Sequence, residues 1–245
     1  MSVSTILGTA ATAVAADEKS PLPAIKNYKF GDSREPLTAV ADWVRGCLGD
    51  DKKRVEAAAE LTAMLATDAT YDCKQFVCRQ LWLAAGPADV AAIAPLLRDA
   101  KTADMARYAL ERIADESVDK AFAEALGAVD DATKIGIVNS LGERRSPASV
   151  AAIAPLLSSA DAKLAYSAVV ALGKIGGADA DKALVKGKIK KNPRVAEAVA
   201  QARLLIAESM AASGDAAGAA KILKALSSGG PKAVRAAAKS KREAK

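Results

Sequence analysis

The octapeptide VAAIAPLL occurs twice in this chain, at residues 90–97 and 150–157. Around the two copies, five leucines recur at intervals of 29, 31, 31 and 32 residues: Leu81, Leu110, Leu141, Leu172 and Leu204. We refer to them as the marker leucines. Each has an apolar residue four positions before it, and four of them have another three positions after it, which is the spacing of an amphipathic helix. A period of about 30 residues predicts stacked helical hairpins.

Each predicted hairpin contains two helices, and short breaks containing Gly, Pro, Ser or Asp separate successive helices. The first helices are predicted at 52–66, 88–98, 117–127, 148–158 and 179–190, and the second helices at 74–84, 103–113, 132–142, 162–174 and 194–208. Pro95 and Pro155 fall inside first helices, where each should remove one hydrogen bond and kink the helix. The sequence therefore predicts an all-α, right-handed α-solenoid of about five helical-hairpin repeats with helical caps.

The remaining sequence divides into segments of different composition. Residues 36–228 are expected to hold the solenoid and its capping helices, and residues 229–245 a basic tail. Residues 17–35 are polar and contain Pro and Gly, so they are expected to form a linker. Residues 1–16 end in an A-x-A pattern typical of a cleaved signal segment, although a basic start is missing. This pattern predicts a periplasmic or secreted protein; the alternative is a cytoplasmic one.

Composition excludes several kinds of active site. The chain has no histidine, which removes the commonest general base and metal ligand. Its three cysteines, Cys47, Cys73 and Cys78, are too few and too unevenly spaced for a zinc site, and inert buried thiols are expected. The acid pairs beginning at Asp50, Asp115 and Asp130 fall at predicted turns, where acids cap the next helix. We therefore expect no metal, no cofactor and no enzymatic activity.

Several short motifs resemble those of a known repeat family. ALGKIGG at 171–177 and both copies of VAAIAPLL resemble HEAT-like repeats of the short kind first named from phycobilisome lyases. More narrowly, three stretches resemble a group of exported bacterial HEAT-repeat proteins: YDCKQFVCRQL at 71–81, MARYALERI at 105–113 and VNSLGERR at 138–145. The resemblance covers about residues 52–208. It implies a scaffold that binds a partner rather than an enzyme.

A row of polar residues is predicted on the second helices. Two positions before the marker leucine, the first three repeats carry Arg79, Tyr108 and Asn139, which would lie roughly 8–10 Å apart on stacked helices. Further candidates lie on the same helices: Gln75, Arg107, Glu111, Glu143 and Arg144. This set is suited to binding a carboxylate or a peptide. The alternative is that these groups satisfy one another and the loop carbonyls between repeats.

The positive charge is concentrated at the C-terminal end. Residues 1–185 carry 21 Lys and Arg against 25 Asp and Glu, a sum of −4, whereas residues 186–245 carry 14 against 4, a sum of +10. The residues singled out at this basic end are Lys186, Lys188, Lys190, Lys191, Arg194, Lys239, Lys241 and Arg242. They are consistent with a solubilising end cap or with binding of nucleic acid or another polyanion.

Three functions follow from these observations. The first is a protein–protein interaction scaffold, monomeric when alone, that binds a protein or peptide on the concave face formed by the second helices. The second is polyanion binding through the basic end. The third, suggested by the lyase-named repeats, is a tetrapyrrole lyase or chaperone-like protein, although the lack of histidine and the scarcity of aromatic residues argue against it.

Overall fold

The computed structural model describes residues 20–187 and 193–243. These residues form 13 α-helices and no strand, and none of their helices combines the length and apolar character needed to cross a membrane. The helices are α1 (Glu35–Cys47), α2 (Asp51–Leu65), α3 (Tyr71–Ala84), α4 (Val90–Ile93), α5 (Ala103–Leu110), α6 (Glu116–Ala125), α7 (Asp131–Arg144), α8 (Val150–Ile153), α9 (Ala162–Ile175), α10 (Gly177–Lys186), α11 (Pro193–Ala212), α12 (Ala216–Gly229) and α13 (Lys232–Glu243). The predicted all-α fold is confirmed.

The helices pair into hairpins that stack one on the next. Each of the second helices α3, α5, α7 and α9 packs against the second helix of the following repeat, and the last second helix, α11, packs against α12. The first helices contact one another in the order α2, α4, α6, α8 and α10, with α6 reaching the 3-10 turn that precedes α8. Helices α1 and α12–α13 cover the two ends of the stack. The predicted α-solenoid is therefore confirmed.

The marker leucines form the centre of the continuous core. Leu81, Leu110, Leu141 and Leu172 have no exposed surface. Leu204 departs from this pattern, because it is only partly buried and α11 turns Ala202 and Ile206 into the core instead. The apolar spacing thus identifies the core face correctly in the first four repeats; in the fifth, Ala200 and Ala207 of the predicted stripe are buried but its leucine is not.

The first helices of the second and fourth repeats are broken where proline occurs. In the second repeat, a 3-10 turn at Pro87–Asp89 leads into α4, and a second 3-10 segment follows at Ala94–Arg98. The fourth repeat has the same order, with 3-10 segments at Pro147–Ser149 and Ala154–Ser158 on either side of α8. Both breaks come directly before Pro95 and Pro155, because proline lacks the N–H that would continue the α-helical hydrogen bonds.

Glycine allows the later second helices to approach each other closely. A Cβ atom at Gly142 of α7 would lie 2.8 Å from the Cα of Ala171 on α9, and one at Gly173 would lie 3.1 Å from the Cα of Ala202 on α11. Such contacts are too short for any larger side chain. The spacing of these helices is therefore set by backbone-to-backbone packing of small residues.

Both ends differ from the sequence-based expectation. Residues 20–34, expected to be a linker, pack on the solenoid: Leu22 and Ile25 are buried, and the Thr70 N–H donates to the Lys26 carbonyl at 3.1 Å. The described part of the expected basic tail is helix α13, which buries Val234 and Ala238. In each short helical segment, two apolar residues three or four positions apart anchor the segment to the solenoid. The predicted leader at 1–16 lies outside the described residues.

The close contact between α7 and α9 makes a direct prediction about Gly142. The substitution Gly142→Ala is expected to lower the free energy of unfolding by about 1–3 kcal/mol, because the added methyl forces the two helices apart. Urea denaturation followed by circular dichroism measures this change. Gly46→Ala in α1 is the matched control, since its Cβ would meet nothing within 4 Å and alanine favours the helix. Equal effects of the two substitutions would contradict the close packing.

Candidate functional site

The acid pairs at the turns cap helices, as expected. The Asp50 carboxylate accepts from the backbone N–H groups of Lys52 and Lys53, and Asp115 accepts from that of Ser117. Asp130 accepts from the Thr133 N–H at 2.8 Å, and hydrogen bonds from the backbone and side chain of Thr133 lower its pKa. These carboxylates complete the first turns of α2, α6 and α7.

Arg144, one of the predicted binding residues, is used entirely inside the protein. Its Nε donates to Asp119 Oδ1 at 2.6 Å, Nη1 donates to the carbonyls of Glu111 and Ile113, and Nη2 donates to the Asp115 carbonyl and to Asp119 Oδ2. A guanidinium has five N–H donors, so each one is matched with an acceptor. Only 10% of the side chain is exposed. Arg144 therefore ties the end of α7 to the residues directly after α5 and to the start of α6.

Arg107 and Glu111 form a polar seam between α5 and α7. Arg107 Nη1 donates to the Gly136 carbonyl at 3.0 Å and to Ser140 Oγ at 2.8 Å. Glu111 accepts from Arg107 Nη1 at 3.3 Å and from the Ser140 hydroxyl. Gly136 leaves the space for this guanidinium, because a Cβ there would lie 2.9 Å from Arg107 Nε. For Arg107, Glu111 and Arg144 the structure thus favours the alternative in which polar groups between repeats satisfy one another.

Four of the predicted residues remain available for a ligand. Arg79, Tyr108 and Asn139 are exposed side chains on α3, α5 and α7, and Gln75 is half-buried one turn before Arg79. Within residues 20–187 and 193–243 none of the four makes a side-chain hydrogen bond or an ion pair. Glu143 differs from them because it forms an inter-repeat ion pair with Lys174. The predicted row is therefore at the surface.

Two further residues, Trp82 and Arg112, were missed by the sequence analysis. The rings of Trp82 and Tyr108 stack with centroids 5.7 Å apart and planes inclined by 24°. The Arg112 guanidinium carbon lies 4.5 Å from the centroid of the Trp82 ring. We call these three residues the aromatic–arginine platform. The spacing of residues within each helix indicates part of this arrangement, because Trp82 follows Arg79 by three positions and Arg112 follows Tyr108 by four.

The basic residues of the C-terminal end are dispersed. Lys186 is exposed at the end of α10, and the Arg194 guanidinium lies 5.3 Å from the Tyr166 ring centroid. On α13, Lys241 pairs with Glu208 at 2.9 Å and Arg242 donates to the Ser227 hydroxyl, whereas Lys239 is exposed. Lys188, Lys190 and Lys191 lie outside the described residues. The structure adds four exposed cations on α12 and α13: Lys221, Lys224, Lys232 and Arg235.

Comparison with known proteins agrees with this architecture. Residues 120–203 match the family model described as HEAT repeats. HEAT repeats generally mediate protein–protein interactions. The match is to HEAT repeats in general. It supports neither membership of the phycobilisome-lyase subtype nor export of the protein. No curated protein matches the chain.

Two solved structures, both described as crystal structures of engineered proteins, are similar to the chain. One is 21% identical with a TM-score of 0.48, covering 89% of this chain and 66% of its own length. The chain thus spans slightly less than two thirds of that structure. The other is 22% identical with a TM-score of 0.33, covering 91% of this chain and 94% of its own length.

The different surroundings of the arginines predict different effects of substitution. Arg144→Ala is expected to lower the free energy of unfolding by about 3–5 kcal/mol, because it leaves the Asp119 carboxylate, which is 12% exposed, without its partner. Arg79→Ala removes an exposed side chain that has no hydrogen-bond or ion-pair partner in the described ranges, and it is expected to change the free energy of unfolding by less than about 0.5 kcal/mol. Urea titrations of both variants measure the difference. A parent-like midpoint for Arg144→Ala would show that its five hydrogen bonds do not hold the repeats together.

Proposed function

We propose that the chain is a non-enzymatic scaffold that binds a partner protein on the exposed side of its second helices. The binding surface consists of Gln75, Arg79, Trp82, Tyr108, Arg112 and Asn139, which we call the second-helix surface. It extends over the first three repeats. The general role of HEAT repeats in protein–protein interaction supports a scaffold, and the side chains of this chain support the location.

One observation carries the proposal: four arginines on or directly after α3, α5 and α7 fall into two groups. Arg107 and Arg144 donate to acceptors of neighbouring repeats. Arg79 and Arg112 have no hydrogen-bond acceptor within the described residues, and their donors are open to solvent. The N–H donors of Arg107 and Arg144 are used inside the protein, whereas those of Arg79 and Arg112, unmatched among the described residues, remain available to bind a partner.

The aromatic residues support the same location. The chain contains only two Trp, four Tyr and three Phe, yet a Trp and a Tyr stack on each other at this surface. Tyr108 is 44% exposed. Trp, Tyr and Arg are the residue types that contribute most to protein interfaces. Because their helices are fixed by the buried marker leucines, little ordering is required when a partner binds.

Site-specific photo-crosslinking tests the proposal. A benzophenone amino acid replacing Tyr108 is expected to cross-link a discrete protein in lysate of the cells that produce this chain. The adduct should disappear when Arg79→Glu is added, because the charge reversal repels whatever Arg79 attracts. The control places the same benzophenone at Val55, which is 52% exposed on the first helix α2. Identical products from both positions, or an adduct indifferent to Arg79→Glu, would contradict the proposed surface.

A second candidate function, polyanion binding, is favoured by the terminal hairpin α12–α13. Residues 216–243 contain seven Lys and Arg but only one acid. Five of the cations are exposed and have no ion-pair partner within the described part of the chain: Lys221, Lys224, Lys232, Arg235 and Lys239. Lys232, Arg235 and Lys239 follow one face of α13. Since α12 and α13 contain no aromatic residue, binding would involve charge alone, without stacking on bases.

Neutralising these five cations tests the second candidate. The parent protein should retard duplex DNA in gels at low salt and lose this activity steeply as salt rises. Replacing the five by Gln should abolish the shift. The control replaces five exposed lysines outside the terminal hairpin by Gln: Lys53, Lys101, Lys120, Lys163 and Lys182. Equal loss in both variants would show that net charge, rather than the terminal hairpin, causes binding.

A further inference from the structure

The aromatic–arginine platform has the geometry of a carboxylate site. Arg112 lies over the face of Trp82, with its guanidinium carbon 4.5 Å from the ring centroid. A guanidinium that contacts a ring through its face keeps the N–H groups along its edge for other partners. Such N–H groups match the two oxygens of a carboxylate. Trp82 is itself held in place by the stacked ring of Tyr108.

The acids on and directly after the helices that carry the second-helix surface already have partners. Asp104 accepts from Arg107, Glu111 accepts from Arg107 and Ser140, and Glu143 pairs with Lys174. The Asp72 carboxylate at the start of α3 accepts the Phe30 N–H at 2.9 Å. No carboxylate within residues 20–187 and 193–243 bonds to Arg112 or Arg79. The second-helix surface of the first two repeats therefore presents two arginines with no anion to match them.

We infer that the platform binds a carboxylate of an acidic peptide segment, which Arg112 recognises with the help of Arg79. This inference rests on the proposed function, since it names the chemistry of the partner that the second-helix surface would bind. Arg79 precedes Trp82 by three positions, so it lies on the same side of α3 as the platform. The exposed parts of Tyr108 and Leu83 provide apolar contact for the aliphatic part of an acidic side chain.

The neighbouring helix suggests how the rest of the peptide would lie. Asn139 is exposed on α7, which is the next of the stacked second helices after α5. Its side-chain amide is able to donate to and accept from a peptide backbone. Stacked helices are separated by roughly 8–10 Å. An extended chain covers that distance with about three residues. A segment crossing the second helices would thus place its acid at the platform and a backbone amide at Asn139.

Fluorescence of Trp82 provides a readout specific to this site. Trp43 is the only other tryptophan in the chain, so the variant Trp43→Phe reports on Trp82 alone. The probes are flexible Gly-Ser peptides. One contains a central Glu-Glu pair and has both ends blocked, a second has Gln-Gln instead and the same blocked ends, and a third has Gln-Gln with a free C-terminal carboxylate. The third distinguishes a chain terminus from a side chain as the source of the carboxylate.

We expect the Glu-Glu peptide to change Trp82 emission saturably and to bind at least tenfold more tightly than the blocked Gln-Gln peptide. Arg112→Gln should remove this preference, and Arg112→Lys should restore only part of it, because lysine keeps the charge but not the bidentate fork. All variants are checked for parent-like urea unfolding. The five-fold Gln variant of α12–α13 should bind as the parent does, which excludes binding at the basic hairpin.

Two results would overturn the inference. Equal affinities for the Glu-Glu peptide and both Gln-Gln peptides would show that the site does not recognise carboxylates. An unchanged preference in Arg112→Gln would show that recognition occurs elsewhere. Neither result removes an adduct that forms at Tyr108, is absent at Val55 and is lost in Arg79→Glu. A scaffold whose partner contacts Arg79 through groups other than a carboxylate at the platform would therefore still be detected. Conversely, peptide binding without a cross-linked protein would retain the carboxylate site and remove the proposed partner.

Discussion

Close stacking of the second helices is the contact on which the rest of this structure depends. A single hairpin has no interior of its own, and the marker leucines become buried only when the next repeat covers them. Gly142 and Gly173 allow α7, α9 and α11 to approach until backbone meets alanine. Because the second helices pack on one another in order from α3 to α11, side chains on successive helices come into a row, and exposed residues far apart in the sequence form one surface.

Arginine has two distinct roles in this stack. At the junctions between repeats, Arg107 and Arg144 donate to carbonyl, hydroxyl and carboxylate oxygens of other helices and loops. Burying a guanidinium is tolerated there because all or most of its donors are matched. On the open side of the same helices, Arg79 and Arg112 find no acceptor in the described residues. The position of each arginine relative to the loop carbonyls therefore decides whether it stabilises the fold or remains available to a ligand.

The sequence predicted the hairpins because the spacing of apolar residues is a local property of each helix. It also placed the breaks at Pro95 and Pro155, since the effect of proline is local too. It did not separate Arg144 from Arg79, because helical spacing shows which face a residue occupies but not what the neighbouring repeat presents to it. Trp82 and Arg112 were missed for the same reason: their contact joins residues 30 positions apart on different hairpins.

The register of the stack is tested most directly by zero-length carbodiimide cross-linking followed by mass spectrometry, which joins a lysine to a carboxylate only where the two are in contact. The structure predicts a link between Glu143 of α7 and Lys174 of α9, together with links between Asp68 and Lys26 and between Glu208 and Lys241. Lys163 lies about 16 Å from Lys174 along α9. A link from Glu143 to Lys163 in place of Lys174 would contradict the in-register stack.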